Sequence, residues 1–248
     1  MTPTPSGRQL LDVFDHIYVI NLAHRRDRLK EVRFQLGRLG LDLGSGPVAR
    51  FDACRFEETE GFPTTGARGC FHSHLAILHD ALSAGYGSIL ILEDDLDFTP
   101  DIEARLPKAL HALRPVDWSI FYGATLNADE SVEAAGPIEE ASPGAGMMGT
   151  HFIGLRSNAI RQLVPYLEAM AIRTPGSPLG GPMHVDGAYS WFRRQHPHIH
   201  TCIAIPDLGT QRSSRTDVHV PGWKDRLPIF KQLTSLGRIL LKFFKKNV

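Results

Sequence analysis

The chain carries no surplus of either charge: 27 Lys and Arg are matched by 27 Asp and Glu, for a net charge of zero. A general nucleic-acid binder needs a basic excess to neutralise phosphates, so that class is set aside. Cysteine is scarce. The three, Cys54, Cys70 and Cys202, lack C-x-x-C spacing, which argues against a disulfide framework or a zinc ribbon and fits a reducing compartment. No apolar run approaches the roughly 20 residues that span a bilayer. The opening MTPTPSGRQLLDVFDH has no basic start leading into an apolar stretch, so no signal peptide is expected. A cytoplasmic location follows as the expectation. What is present is an ordinary globular composition, 42% hydrophobic and 22% charged over 248 residues, enough for one large domain or two small ones.

Along the chain, residues 1–12 read as a polar, proline-bearing lead. HIYVINL (16–22) reads as a buried strand, and the charged run after it as a helix stopping at Gly40. A short element follows at 48–53, then a helix from Gly69 to Ala84 broken by Gly85–Gly87. SILILEDD is a strong buried strand ending in acids, and WSIFYGA (118–124) another strand. Residues 127–148 read as a long loop. GTHFIGL is a strand, SNAIRQLVPYLEAM a helix with a Ser/Asn cap, VDGAYSWFRRQ a helix, and HIHTCIAIP a strand. Strands alternating with helices predict an α/β domain with a largely parallel sheet.

RGCFHSHLAILHD (68–80) places Cys70, His72, His74 and His79 within one short segment. At 100° per residue, Phe71, Leu75, Leu78 and Leu82 form the core stripe. His72 and His79 then flank it, and His74 lies on the opposite side. An H-x-H pair on a helix cannot close on one ion unaided, and the zinc-protease spacing is absent. His72 and His79 read as surface or packing residues.

Glu93, Asp94 and Asp95 carry the chemistry. Open α/β sheets bind ligands at the carboxyl ends of strands, and three adjacent carboxylates repel unless a cation or solvent neutralises them. Hard oxygen donors favour Mg²⁺ or Mn²⁺, ions that complete their shells with phosphate oxygens. The reading is a divalent cation holding a diphosphate. A solvated loop start is the alternative. A response-regulator receiver domain is rejected, because a long segment precedes the acids and WSIFYGA ends without one.

Three motifs in order carry a resemblance: Ile20-Asn21-Leu22 with Arg25 and Arg28, Gly69-Cys70 with Ser73-His74, and Leu92-Glu93-Asp94-Asp95. With ARFDA (49–53) between the first two, the chain resembles glycosyltransferase family 25, which includes lipooligosaccharide and collagen galactosyltransferases. The match is good over 16–98 and thinner to about 217. The resemblance implies a GT-A-like single domain with a mixed, mostly parallel sheet flanked by helices, whose D-x-D-type motif binds Mn²⁺ (or Mg²⁺) and a UDP-sugar. Alternation along a strand puts Glu93 and Asp95 on one face. Asp95 is assigned as direct metal ligand, Glu93 as a ligand or a contact to ribose or a metal-bound water, and Asp94 as support. Asn21, Arg25, Arg28, Ser73, His74 and Gln211 are assigned to the donor side. An exposed Arg-rich helix face is the alternative for the arginines, and a helix-capping pair for Ser73 and His74. Asp186 is the candidate base for the acceptor hydroxyl, with an N-capping role as its alternative. Tyr189 and Trp191 are sugar-stacking or core residues. His219, or Asp217, is the candidate last metal ligand.

From Ile229 to Lys246, an apolar face (Ile229, Leu233, Leu236, Leu240, Phe243) opposes a basic one (Lys231, Arg238, Lys242, Lys245). Such a helix reads as an anchor on an anionic membrane surface or as a helix packed on the domain. The organisation expected is a lead (1–12), a GT-A-like domain (13–222) and a basic amphipathic helix (223–248). The activity expected is metal-dependent, inverting transfer of a hexose, galactose from UDP-galactose, to a glycan or glycolipid such as lipooligosaccharide. The enzyme would sit in the cytoplasm, peripherally on the inner face of the membrane. A non-catalytic glycan- or nucleotide-binding relative is the rival, and a metal-dependent phosphoesterase a third reading.

Overall fold

The computed structural model describes residues 2–126 and 136–212. Its elements are α1 (Pro5–Val13), β1 (His16–Asn21), α2 (Arg26–Arg38), β2 (Val48–Asp52), α3 (Thr65–Ala84), β3 (Ser88–Glu93), β4 (Leu96–Phe98) and α4 (Ile102–Leu113). There follow β5 (Ile120–Tyr122), β6 (Ile138–Glu140), β7 (Phe152–Arg156), α5 (Ser157–Ile172), α6 (Val185–Gln195), β8 (Thr201–Ala204) and β9 (Gly209–Gln211).

Seven strands form one sheet in the order β2-β1-β3-β7-β5-β8-β6. β1, β2, β3, β5 and β8 run one way, and β6 and β7 run against them. The sheet is therefore mixed and mostly parallel. Strands β1 and β3 read as continuous apolar runs because both their faces are covered. Ile17, Val19, Leu90 and Leu92 pack on one side with Leu10, Val32, Leu36, Leu106 and Leu110 from α1, α2 and α4. Tyr18, Ile20, Ile89 and Ile91 pack on the other with Phe71, Leu78, Leu163 and Phe192 from α3, α5 and α6. The result is a three-layer sandwich.

Four expectations change here. The polar lead is α1: Thr4 caps it by accepting from Gly7 N at 3.1 Å, Pro5 fills the first turn, and Leu10 is fully buried. The loop expected over 127–148 includes β6, an edge strand antiparallel to β8; residues 127–135 lie outside the described part. Helix α5 starts at Ser157 with Arg156 at the cap and no side-chain capping bond, while Asn158 accepts from the adjacent Ala159 N. The chain also holds α4, which the sequence reading left unassigned. The C-terminal amphipathic segment lies outside the described residues.

β4 and β9 form a separate antiparallel pair, with Leu96 opposite Gln211 and Phe98 opposite Gly209. Gly209 has no side chain to oppose the close approach; a Cβ there would meet Leu96 Cδ1 at 2.6 Å. This hairpin-like contact returns the chain to the end of β3 more than a hundred residues later. It positions the site.

Candidate functional site

β1 and β3 end side by side, with Ile20 in register with Glu93. β7 runs the other way, so its start, preceded by Thr150 and His151, lies at the same edge. Asn21, the three acids, Thr150 and His151 therefore meet where parallel strands finish, the usual ligand edge of such sheets.

Two of the acids are buried, Asp94 at 6% exposed and Asp95 at 5%, and Glu93 is partly buried. They are not a solvated loop start. β3 ends at Glu93 and the chain turns, so strict alternation stops there, and the expected grouping of Glu93 with Asp95 against Asp94 is modified. Arg28 Nη1 lies 2.9 Å from Asp94 Oδ1 and 3.1 Å from Asp95 Oδ2, gathering those two. Asn21 Nδ2 donates to Asp94 Oδ2 at 2.6 Å and to Arg25 O at 3.2 Å. Asp94 is thus tied between β1 and α2. Asp95 is held more loosely, with Gln211 Nε2 at 3.4 Å from each of its oxygens. Glu93 turns instead toward Thr150, whose Oγ1 donates to Glu93 Oε1 at 2.8 Å.

Burial raises the carboxyls of Asp94 and Asp95. For Asp94, Asn21 and Arg28 oppose the rise. For Asp95, repulsion from Glu93 and Asp94 adds to burial, and its pKa is pushed up to about 7. At Glu93 burial also pushes upward, but His74, His151 and Thr150 outweigh it, and the net direction is down.

Helix α3 supplies the next layer, and the geometry explains the G-C-x-x-S-H spacing. Gly69 packs against the carbonyl of Cys54, where a Cβ would come within 2.5 Å of that oxygen. Ser73 Oγ donates to Gly69 O at 2.7 Å and accepts from Cys54 N at 2.8 Å. Gly69 and Ser73 therefore clamp α3 onto the segment after β2. Cys70 and His74, one turn apart, point the other way, toward Glu93. His74 is fully buried, with Nδ1 3.3 Å from the Tyr189 hydroxyl and Nε2 3.9 Å from Glu93 Oε1. One ligand atom from each of Cys70, His74 and Glu93 lies within 4.8 Å of the others. Burial pushes the Cys70 thiol well up, with added repulsion from Glu93, Asp186 and Asp95.

Asp186 sits in the first turn of α6, whose cap is His184, so it is not the N-cap. Its carboxylate accepts from Gly187 N at 2.7 Å and Gly149 N at 3.3 Å. The bond from Gly149, next to Thr150, brings it to the same sheet edge. Tyr189 is a core residue rather than a stacking platform.

Sorted by place, Asn21, Arg28, Ser73, His74, Glu93, Asp94, Asp95, Asp186 and Gln211 converge. Ser73 acts through packing, and Asn21 and Arg28 bind carboxylates. Arg25 pairs with Asp27, with Nη2 2.9 Å from Oδ2. Asp217 and His219 lie outside the described residues. The sequence reading missed Cys70, Thr150 and His151 as site residues. Cys70 belongs to the GCxxSH motif, one turn before His74. Thr150 and His151 gave no local signal, because only the antiparallel pairing of β7 brings them to Glu93.

Two open depressions, about 480 and 530 Å³, lie along α2 rather than over the acids. The first is lined by Arg26, Lys30, Arg33 and Arg50, with Ala23 and Leu29.

Residues 14–129 match the family model described as glycosyltransferase family 25 (LPS biosynthesis protein). Procollagen galactosyltransferase 1-B of Xenopus laevis is 30% identical over 127 residues, 44% of this chain and 21% of that protein. Human inactive glycosyltransferase 25 family member 3 is 26% identical over 136 residues, 48% of this chain and 23% of that protein. The chain spans about a fifth of the length of these relatives. A solved glycosyltransferase involved in glycosylation of the major capsid of PBCV-1 shares 11% identity at a TM-score of 0.35, covering 77% of this chain and 93% of that one. Among the described residues, no helix is long and apolar enough to cross a membrane. Over residues 14–129, the part that carries the INL, GCxxSH and LEDD motifs, the chain is similar to glycosyltransferase family 25.

Proposed function

We propose that the chain transfers a hexose from a nucleotide sugar, UDP-galactose first among candidates, to a glycan acceptor such as lipooligosaccharide, with inversion. The observation that carries this reading is the row of three adjacent acids at the sheet edge, two of them buried. They are Glu93, Asp94 and Asp95, with Arg28 as the guanidinium bonded to Asp94 and Asp95.

The donor set fits a hard divalent cation, Mn²⁺ or Mg²⁺: carboxylate oxygens, one of them on an acid whose pKa burial and repulsion have raised. Asp95 would hold the cation directly, and Glu93, turned toward Thr150, would meet the ribose or a metal-bound water; when bound, the cation supplies Lewis-acid stabilisation of charge on the departing nucleotide. Asn21 and Arg28 fix Asp94 and so set the approach of Asp95. Gln211 arrives on β9 and completes the wall beside Asp95. Asp186 takes the proton of the acceptor hydroxyl, its carboxylate steadied by two backbone N–H groups. His219 is a further candidate ligand by its sequence position.

The basic amphipathic pattern of 227–248 supports peripheral attachment to an anionic membrane, where lipid-linked acceptors are found. Deleting 227–248 should shift the protein from the membrane to the soluble fraction; unchanged partitioning removes this part of the reading.

The similarity to a human protein named inactive favours a second reading, a non-catalytic nucleotide or glycan binder. Calorimetry with UDP and Mn²⁺, followed by UDP release from UDP-galactose with an acceptor, separates the two. Binding with metal-dependent release supports transfer. Binding without release supports the rival, and no binding overturns both.

A further inference from the structure

The hard-cation reading leaves Cys70 and the inner side of His74 unused. We propose that Cys70, His74 and Glu93 form a second site at the same edge, one for a borderline-soft divalent cation of the Zn²⁺ type.

Geometry comes first. Cys70 and His74 are four apart on α3, so their side chains share a face. Glu93 meets them from the end of β3, and the three ligand atoms already lie within 4.8 Å of one another. A tetrahedral zinc shell, with Zn–S near 2.3 Å and Zn–N near 2.0 Å, holds its ligand atoms roughly 3.3–3.7 Å apart. Closing by about 1 Å is within reach of side-chain torsions.

The second observation is an orphaned atom. His74 is fully buried, yet among the described residues its Nε2 has no hydrogen-bond partner, a situation that buried polar atoms rarely tolerate. Glu93 Oε1 is 3.9 Å away, too far for a hydrogen bond. An ion between them resolves the mismatch. The surroundings are those that metal-bound groups require: the opposite ring nitrogen, Nδ1, faces the Tyr189 hydroxyl at 3.3 Å, and Thr150 steadies Glu93 at 2.8 Å.

Donor chemistry selects the ion. A thiolate, an imidazole and a carboxylate suit Zn²⁺ and exclude Mg²⁺, which prefers oxygen throughout. On binding, the Sγ–H bond breaks, the Sγ–metal bond forms, and the proton leaves to solvent. Three protein ligands leave one tetrahedral position open. Glu93 also has a part in the proposed function, so occupancy by zinc withdraws it from that role, a consequence that rests on that reading.

Cobalt(II) is the probe, since it replaces zinc and reports thiolate ligation by a charge-transfer band in the near ultraviolet. Reduced full-length protein should show that band, and zinc should abolish it by displacement. Cys70→Ser should remove it and weaken zinc binding by at least roughly 100-fold, beyond what losing a supporting group costs. Cys54→Ser and Cys202→Ser should keep it. A wild-type protein without the band at saturating cobalt overturns the site, as does a band that survives in Cys70→Ser. UDP and Mn²⁺ binding measured on the same samples reports on the proposed function separately, so either assignment can fail alone.

Discussion

Replacing Asp95 by Asn should make the cation-free protein more stable, and only at neutral or alkaline pH. Asp95 is 5% exposed, and burial with repulsion from Glu93 and Asp94 lifts its carboxyl from 3.8 to about 7. Because the folded pKa lies above the unfolded one, the folded state binds the extra proton between about pH 4 and 7. The ionised carboxylate therefore costs nothing below about pH 4, costs more as pH rises, and reaches its full cost above about pH 7. Each unit is worth about 1.4 kcal/mol, which sets a ceiling of about 4 kcal/mol. Asn is nearly isosteric and removes the charge, but it also gives up the Arg28 contact at 3.1 Å. Arg28 retains Asp94 at 2.9 Å, so a net gain of about 2 kcal/mol remains. For a chain of this size that raises Tm by roughly 4–8 °C. Thermal melts in chelator at pH 8 and pH 4 provide the assay. A gain at pH 8 that vanishes at pH 4 is expected. Equal or lower stability of Asp95→Asn at pH 8 refutes the argument that the site stores unneutralised charge.

Two further substitutions test how the site is held. Gly69→Ala drives a methyl to within 2.5 Å of the Cys54 carbonyl; it should cost about 1–3 kcal/mol in denaturant melts, and an unchanged midpoint would show that α3 is not clamped there. Arg193 is fully buried and donates to Thr201 Oγ1, Ala145 O and Ser142 O at 2.9, 2.8 and 2.7 Å. Arg193→Ala takes the guanidinium from Thr201 Oγ1 and Ala145 O, while Ser142 O keeps Ala145 N at 3.1 Å; it should cost about 3 kcal/mol or more, with faster proteolysis in 141–147 as its local sign. A loss below 1 kcal/mol would mean that water replaces the guanidinium without penalty.

How much was legible follows from which interactions are local. Ile89–Leu92 and Ile17–Ile20 announced buried strands because both faces of each are covered. The acids at 93–95 announced a strand end because nothing apolar follows until Leu96. Gln211 was placed near the site by resemblance, and the β4–β9 pairing supplies the physical reason. Thr4 and Pro5 did carry a capping signature for α1, which the prolines and polar residues around it hid. Helix α4 holds Pro107 in its interior, which breaks the usual periodic cue. Thr150, His151 and the inward turn of Cys70 had no local signal. Their roles exist only once β7 runs antiparallel beside β3 and α3 docks through Gly69 and Ser73.

The central claim is that the buried acids at the end of β3 hold a divalent cation that in turn holds a nucleotide diphosphate. Calorimetric titration of UDP into the full chain, with Mn²⁺ and with chelator, tests it most directly when repeated on Asp95→Ala. The account predicts binding that needs Mn²⁺ and falls by at least roughly 100-fold in the variant, the loss of about 2.7 kcal/mol. UDP binding of equal strength in chelator, or in Asp95→Ala with Mn²⁺, would contradict it.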